Sequence, residues 1–138
     1  MTQRNDLKKI LDKDYRLSTF WHIKDKNQNL IKFKPNRAQE HFRKNKHSRN
    51  IICKSRQLGF STYEALDMLD DVCFNRNFDA IMIAQDLETS KDIFDNKIGL
   101  AWNHFKLSPL YKLNMDTARQ MKLDFGDKTV SSITVDNP

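Results

Sequence analysis

Only two cysteines, three glycines and three prolines occur in the 138 residues of this chain. Two thiols, Cys53 and Cys73, cannot build the disulfide framework of a small secreted domain, and a reducing compartment is the default. His41, His47, Cys53 and Cys73 are spread too widely for a zinc site. No apolar run approaches the roughly 20 residues that a membrane span requires. The stretch from Met1 to Asp6 is polar and carries no apolar h-region of a secretory signal. Internal repeats and low-complexity tracts are missing too. Disulfide scaffolds, membrane spans and solenoids are thereby set aside. With so few Gly and Pro, each one marks a break in the chain.

What is present is aromatic and basic. Nine Phe, three Tyr and two Trp supply large buried areas and argue against disorder. Apolar residues make up 38%, enough for one core but not two. Lys and Arg number 24 against 18 Asp and Glu, a net charge of +6, which permits a polyanion such as DNA as partner.

Periodicity gives the order of elements. Leu7, Ile10 and Leu11 predict a short helix over 6–13, and 19–23 and 30–34 read as strands joined by a polar turn at 25–29. Asn36 is suited to cap a helix, and Gln39 three residues on has the spacing of a capping box. The basic stretch 43–49 reads as a solvated connection. Ile51-Ile52-Cys53 predicts a short buried strand, with Cys53 as a small apolar residue at its end. A helix over 61–73 follows, with Ala65, Leu66, Leu69, Val72 and Cys73 on one face and Glu64, Asp67, Asp70 and Asp71 on the solvated other. The run 80–84 predicts a strand buried on both sides. Thr89 is read as the cap of the next helix, whose buried stripe is Ile93, Phe94, Ile98, Ala101, Trp102 and Phe105. Two strands, 121–125 and 129–135, meet at Gly126-Asp127. Strand, loop, helix and strand is a βαβ pattern, so the expected class is α/β, a parallel sheet with flanking helices.

The stretch that carries chemistry is Lys54-Ser55-Arg56-Gln57-Leu58-Gly59-Phe60-Ser61-Thr62. It stands between an expected strand and an expected helix, where free N–H groups and the positive end of the helix dipole favour phosphate. Set against G-x-x-x-x-G-K-[ST], Gly59 and Ser61 fall in place, while Lys54 replaces the first glycine and Phe60 the lysine. A lysine at the start of the loop can fold across the cradle and supply the missing ammonium, and Arg56 can add a forked donor. The bland alternative is an ordinary strand-to-helix turn with Ser61 as cap.

This string resembles the variant Walker A loop of the large terminase subunit of tailed phages, the ATPase motor that packs DNA into the procapsid. The segment 33–39, the strand 80–84 with Gln85-Asp86, and the later hairpin at 125–129 are similar to flanking parts of that family. The resemblance implies a P-loop NTPase-like sheet, incomplete, over 35–138, preceded by a helix and hairpin extension over 1–34. It implies ATP and Mg²⁺ as cofactors. Lys54 and Arg56 would contact phosphates, Ser55 and Gln57 would belong to the cradle, Gly59 would let the backbone approach, and Ser61 would hold Mg²⁺ with help from Thr62. Gln39 would read adenine; by its spacing alone it returns a bond to Asn36 instead. The implied partners are double-stranded DNA, the portal and the small terminase subunit, in an oligomeric motor in the host cytoplasm.

The family's Walker B strand, an apolar run ending in Asp-Glu, is not found. Leu69-Asp70-Asp71 lies on the helix after the loop, and Ile133 to Val135 ends at Asp136-Asn137-Pro138. The expectation is a segment that binds ATP but hydrolyses it poorly alone, with open strand edges and marginal stability. The alternative is a shortened terminase-like protein that acts by protein or DNA contact without ATP hydrolysis. A different helicase-like P-loop ATPase is a third reading.

Overall fold

The computed structural model describes residues 8–55, 57–117 and 119–138. Helix α1 spans Lys13–Thr19 and starts where the Asp12 carboxylate accepts the Asp14 N–H at 2.9 Å. Of the expected helix over 6–13, residues 8–10 are helical and 6 and 7 lie outside the described part; a turn at Leu11 separates them from α1. Its bonds hold the chain helical to Thr19, so the first strand begins at His22 rather than Thr19. Leu17 and Trp21 are fully buried.

The hairpin pairs β1 (His22–Lys24) with β2 (Leu30–Lys32), antiparallel. Asp25 makes its turn by accepting the N–H groups of Asn27 and Asn29 at 2.8 and 2.9 Å. Those bonds, the Asn29 backbone foremost, hold its carboxyl below the usual carboxylate range. Helix α2 (Arg37–Asn45) opens with both halves of the expected capping box. Asn36 Oδ1 accepts the Gln39 N–H at 3.0 Å and Gln39 Oε1 accepts the Asn36 N–H at 2.9 Å.

Helix α3 (Phe60–Phe74) is the hub, packed on α1, β3 and β6. Its apolar face is as expected, with Ala65, Leu66, Leu69 and Val72 fully buried. Its acidic face is not solvated. Asp70 is fully buried and Asp67 is 5% exposed. The reason is α1, which lies across that face. Arg16 Nη2 and Nε donate to Asp70 at 2.7 and 3.0 Å, Trp21 Nε1 donates at 3.1 Å, and the Arg16 guanidinium sits 4.4 Å from the Phe74 ring centre. Lys13 reaches Asp67 and Asp71 at 2.9 and 2.7 Å, and Lys46 reaches Asp67 at 2.9 Å. Burial alone would lower the Lys13 pKa, but Asp71 and Asp67 outweigh it and raise it. Lys46 and Arg43, which bonds Asp14, are thus ion-paired rather than merely solvated.

Strand β3 (Asp79–Ile83) leads into α4 (Leu87–Ile93), a π-helical turn (Phe94–Gly99) and α5 (Leu100–Asn103). The cap of α4 is Asp86, whose carboxylate accepts the Thr89 N–H at 2.7 Å; Thr89 is the donor and not the cap. An ionised carboxylate at a helix head gains from the dipole as well as the bond, so it takes that position over a hydroxyl. The expected stripe from Ile93 to Phe105 is buried throughout.

After a 3₁₀ turn (Ser108–Leu110), strands β4 (Lys112–Thr117), β5 (Gln120–Asp124) and β6 (Val130–Asp136) complete a four-stranded sheet of order β3-β6-β5-β4. Only β3 and β6 run parallel, Ala80 opposite Ile133 and Met82 opposite Val135. The other pairs are antiparallel. The fold is therefore mixed α/β with one parallel pair, not a parallel sheet. Strand β4 was not expected: Lys112, Asn114 and Asp116 carry low strand propensity, and pairing with β5 overrides it.

The expected strand Ile51–Cys53 does not form. Ile51 is 93% exposed and Cys53 is exposed too, so it is not a buried strand end. A strand needs a neighbour for its backbone groups, and no described residue pairs with this segment. β3 is consequently an edge, and its burial alternates instead of being complete. Ala80 faces the helices, whereas Ile81 and Ile83 are 64% and 73% exposed on an uncovered face. One apolar cluster joins Leu17, Trp21 and Phe33 to Tyr63, Leu66, Leu69 and Ile133, so residues on both sides of position 34 share a core. Among the described residues no helix is long and apolar enough to cross a membrane.

Candidate functional site

The site is the head of α3 and the loop that enters it. Gly59 is the N-cap residue, with φ at +69°, and it offers no side chain to the helix head. Gln57 has φ at +66°, left-handed as well, a conformation that costs a non-glycine residue roughly 1–2 kcal/mol. The first turn of α3 carries no acidic residue. The helix head therefore presents N–H groups and the positive dipole end without a built-in anion to neutralise them.

Lys54 and Ser55 are exposed, and Lys54 Nζ lies 3.4 Å from its own neighbour's carbonyl, Ser55 O. That contact is weak and leaves the ammonium available to a stronger acceptor. Ser61 is exposed at the second position of the helix, so its hydroxyl is open at the head. Ser61 is not the cap, because the helix begins one residue earlier at Phe60. Arg56 lies outside the described residues.

Two cavities flank this head, and they divide the expected site. One, of about 670 Å³, is walled by Arg37 and His41 of α2 and by Ile52, Lys54, Ser55 and Leu58 of the loop. The other, of about 250 Å³, is polar and holds Thr62 with Lys24 and Asp25 of the hairpin and with Asp92 and Lys97. Thr62 is thus on the hairpin side, away from Lys54 and Ser55. Asp92 accepts from Lys97 and Asn96 at 2.7 and 2.8 Å, which holds its carboxyl below the ordinary range.

Gln39 is 3% exposed, with its amide turned to the loop backbone. Its Nε2 donates to Gly59 O at 2.9 Å and to Leu58 O at 3.3 Å. Asn36 Nδ2 also donates to Leu58 O, at 3.1 Å. Asn36, Arg37 and His41 were not foreseen as part of this site. The sequence did hold a signal for the last two: Arg37 and His41 are four residues apart and so lie on one face of α2. The reach of Asn36 to Leu58 spans 22 residues and has no local signature.

Chemically the arrangement can hold an anion at the helix head, with Lys54 and the Ser55 and Ser61 hydroxyls beside it. Among the described residues, no group of three or more His, Cys, Asp or Glu is placed to hold a metal ion. A divalent cation here would take one oxygen from Ser61 and the rest from phosphate and water, the usual habit of Mg²⁺. The chain matches no protein-family model and no curated protein.

Proposed function

We propose that this chain is a nucleotide-binding segment of the terminase large-subunit type, with a P-loop NTPase-like site that takes Mg-ATP at the head of α3. The observation that carries the reading is the uncapped, acid-free helix head entered by Gly59 in the left-handed conformation, with Lys54 beside it. A triphosphate would satisfy those N–H groups, and Lys54 would meet its terminal oxygens. Ser61 would supply the hydroxyl to Mg²⁺. Bound Mg-ATP brings the scissile phosphoryl group; these residues bind and orient it. In the larger motor, hydrolysis would drive double-stranded DNA past the portal, with the small subunit as partner, in the host cytoplasm.

A second reading, a terminase-like protein that works by protein contact without hydrolysis, is favoured by the uncovered face bearing Ile81 and Ile83. Calorimetric titration with Mg-ATP separates the two. Micromolar to millimolar binding that weakens at least tenfold in Lys54→Ala supports the nucleotide site. A folded chain that binds no Mg-ATP at 10 mM sinks it.

A further inference from the structure

Gln39 is a buried amide with its polar groups accounted for inside the chain. Its carbonyl oxygen takes the Asn36 N–H, and its two N–H groups go to Leu58 O and Gly59 O. Burying an amide is costly unless it is paired, and this one is paired three times. The grip falls on the peptides that open α3, since Gly59 O also accepts the first helical bond, from Tyr63 N–H at 3.0 Å. The fit is close: a Cβ on Gly59 would lie 3.0 Å from Gln39 Nε2.

The grip has a directional effect. No described peptide bond is cis. In a planar trans peptide the C=O of one residue and the N–H of the next point in opposite directions. Holding Leu58 O and Gly59 O on Gln39 Nε2 therefore fixes the N–H groups of Gly59 and Phe60 on the opposite side of the same two peptides. Those are the donors that a phosphate at the helix head would use. Asn36 adds a second hold on the first of the two carbonyls.

We infer that Gln39 is a positioning residue that acts on the phosphates through the loop backbone, and not a reader of the base. This rests on the nucleotide reading above. It predicts that losing the grip weakens every ligand that uses the cradle, whether or not it carries a base.

The test is titration of the intact chain and of Gln39→Met with Mg-ATP and, separately, with Mg-tripolyphosphate. Methionine keeps the length and neutrality of the side chain and removes its donors. The expected result is that the native chain binds both ligands and that the variant loses about the same factor for each, tenfold or more. Loss for Mg-ATP with tripolyphosphate unchanged would assign Gln39 to the base and overturn the inference while leaving the nucleotide site standing. No loss for either ligand would overturn it too, as would a native chain that binds Mg-ATP but not tripolyphosphate. A native chain that binds neither removes the nucleotide reading itself, and the inference with it. If Gln39→Met lacks a cooperative melt, Asn36→Ser replaces it. Serine keeps a capping oxygen but is too short to reach Leu58 O, and a smaller, equal loss for both ligands is expected. Loss for Mg-ATP alone, or none, again overturns the inference.

Discussion

Helix α3 is built differently along its flank and at its head. On the flank, Asp67, Asp70 and Asp71 are each met by a cation from elsewhere in the chain: Lys13, Arg16 or Lys46. At the head, no side chain caps the helix and no acidic residue sits in the first turn. The three flank carboxylates are paired, Asp70 in the interior and Asp71 nearer the surface, while Glu64 on the same face keeps a buried oxygen without a hydrogen-bond partner among the described residues. The head is open, beside exposed Ile51 and Lys54. The same helix therefore carries the tertiary anchor of α1 and the candidate binding site on separate parts. Substitutions on the flank are expected to act on stability, and those at the head on ligand binding with smaller effects on stability.

The largest effect is expected on the flank. Burial pushes the Asp70 carboxyl up even against the pull of Arg16 and Trp21, so desolvation outweighs pairing. Such a pair contributes little net stability but is costly to break, because removing one partner strands the other. Asp70→Ala is expected to cost about 3–5 kcal/mol in a denaturant melt, by leaving the Arg16 guanidinium buried without its carboxylate. Changing both partners, Arg16→Met with Asp70→Leu, should restore part of that loss, since the Trp21 N–H and the Ile10 and Leu11 carbonyls lose their partners as well. A single Asp70→Ala variant within about 1 kcal/mol of the native chain would show that the pairing on the flank is dispensable and would dissolve the contrast.

Smaller effects belong to the head. Gly59→Ala forces an alanine to φ +69° and puts its Cβ 3.0 Å from Gln39 Nε2. A cost of about 1–3 kcal/mol is expected. Gly126 is the control, because it has φ +83° but nothing within 4 Å of an added Cβ. Gly126→Ala should cost only the backbone strain, about 1 kcal/mol. The difference between the two thermal or denaturant melts isolates the contact with Gln39. Equal losses would mean that Gln39 yields freely and does not hold the loop.

What could be read from the chain follows the same division. Local signals survived: the capping box at Asn36 and Gln39, the apolar stripe of α3, and the buried run from Ile93 to Phe105. Each depends on residues within one or two turns. What was misread depends on remote neighbours. The face bearing Asp67 and Asp70 looks solvated until α1 is laid across it, 54 residues away for the Arg16 bond. Ile51–Cys53 has the composition of a strand, but a strand is made by its partner, and no described residue pairs with this segment although one edge of β3 is open. The loop from Lys54 to Thr62 stands out in the sequence because its residues are consecutive, and the Mg-ATP titration is what tests it. The hold of Asn36 on Leu58 does not stand out, because nothing in the sequence near either residue announces the other.

The smallest effect is expected at Ile51, and it bears directly on that misreading. A buried isoleucine in a strand beside β3 would contribute roughly 1.5–3 kcal/mol by its removal from water. At 93% exposure, Ile51 has almost no such contribution to lose. Ile51→Ser should therefore change the denaturant midpoint by the equivalent of less than about 0.5 kcal/mol, with an unchanged m-value. Ile133→Ala, on a fully buried residue of β6, should cost about 2–5 kcal/mol in the same experiment. A loss above about 1 kcal/mol for Ile51→Ser would mean that the segment entering the loop is packed in solution. The head of α3 would then be covered as its flank is, and the loop would be held by a strand rather than by Gln39 and Asn36 alone.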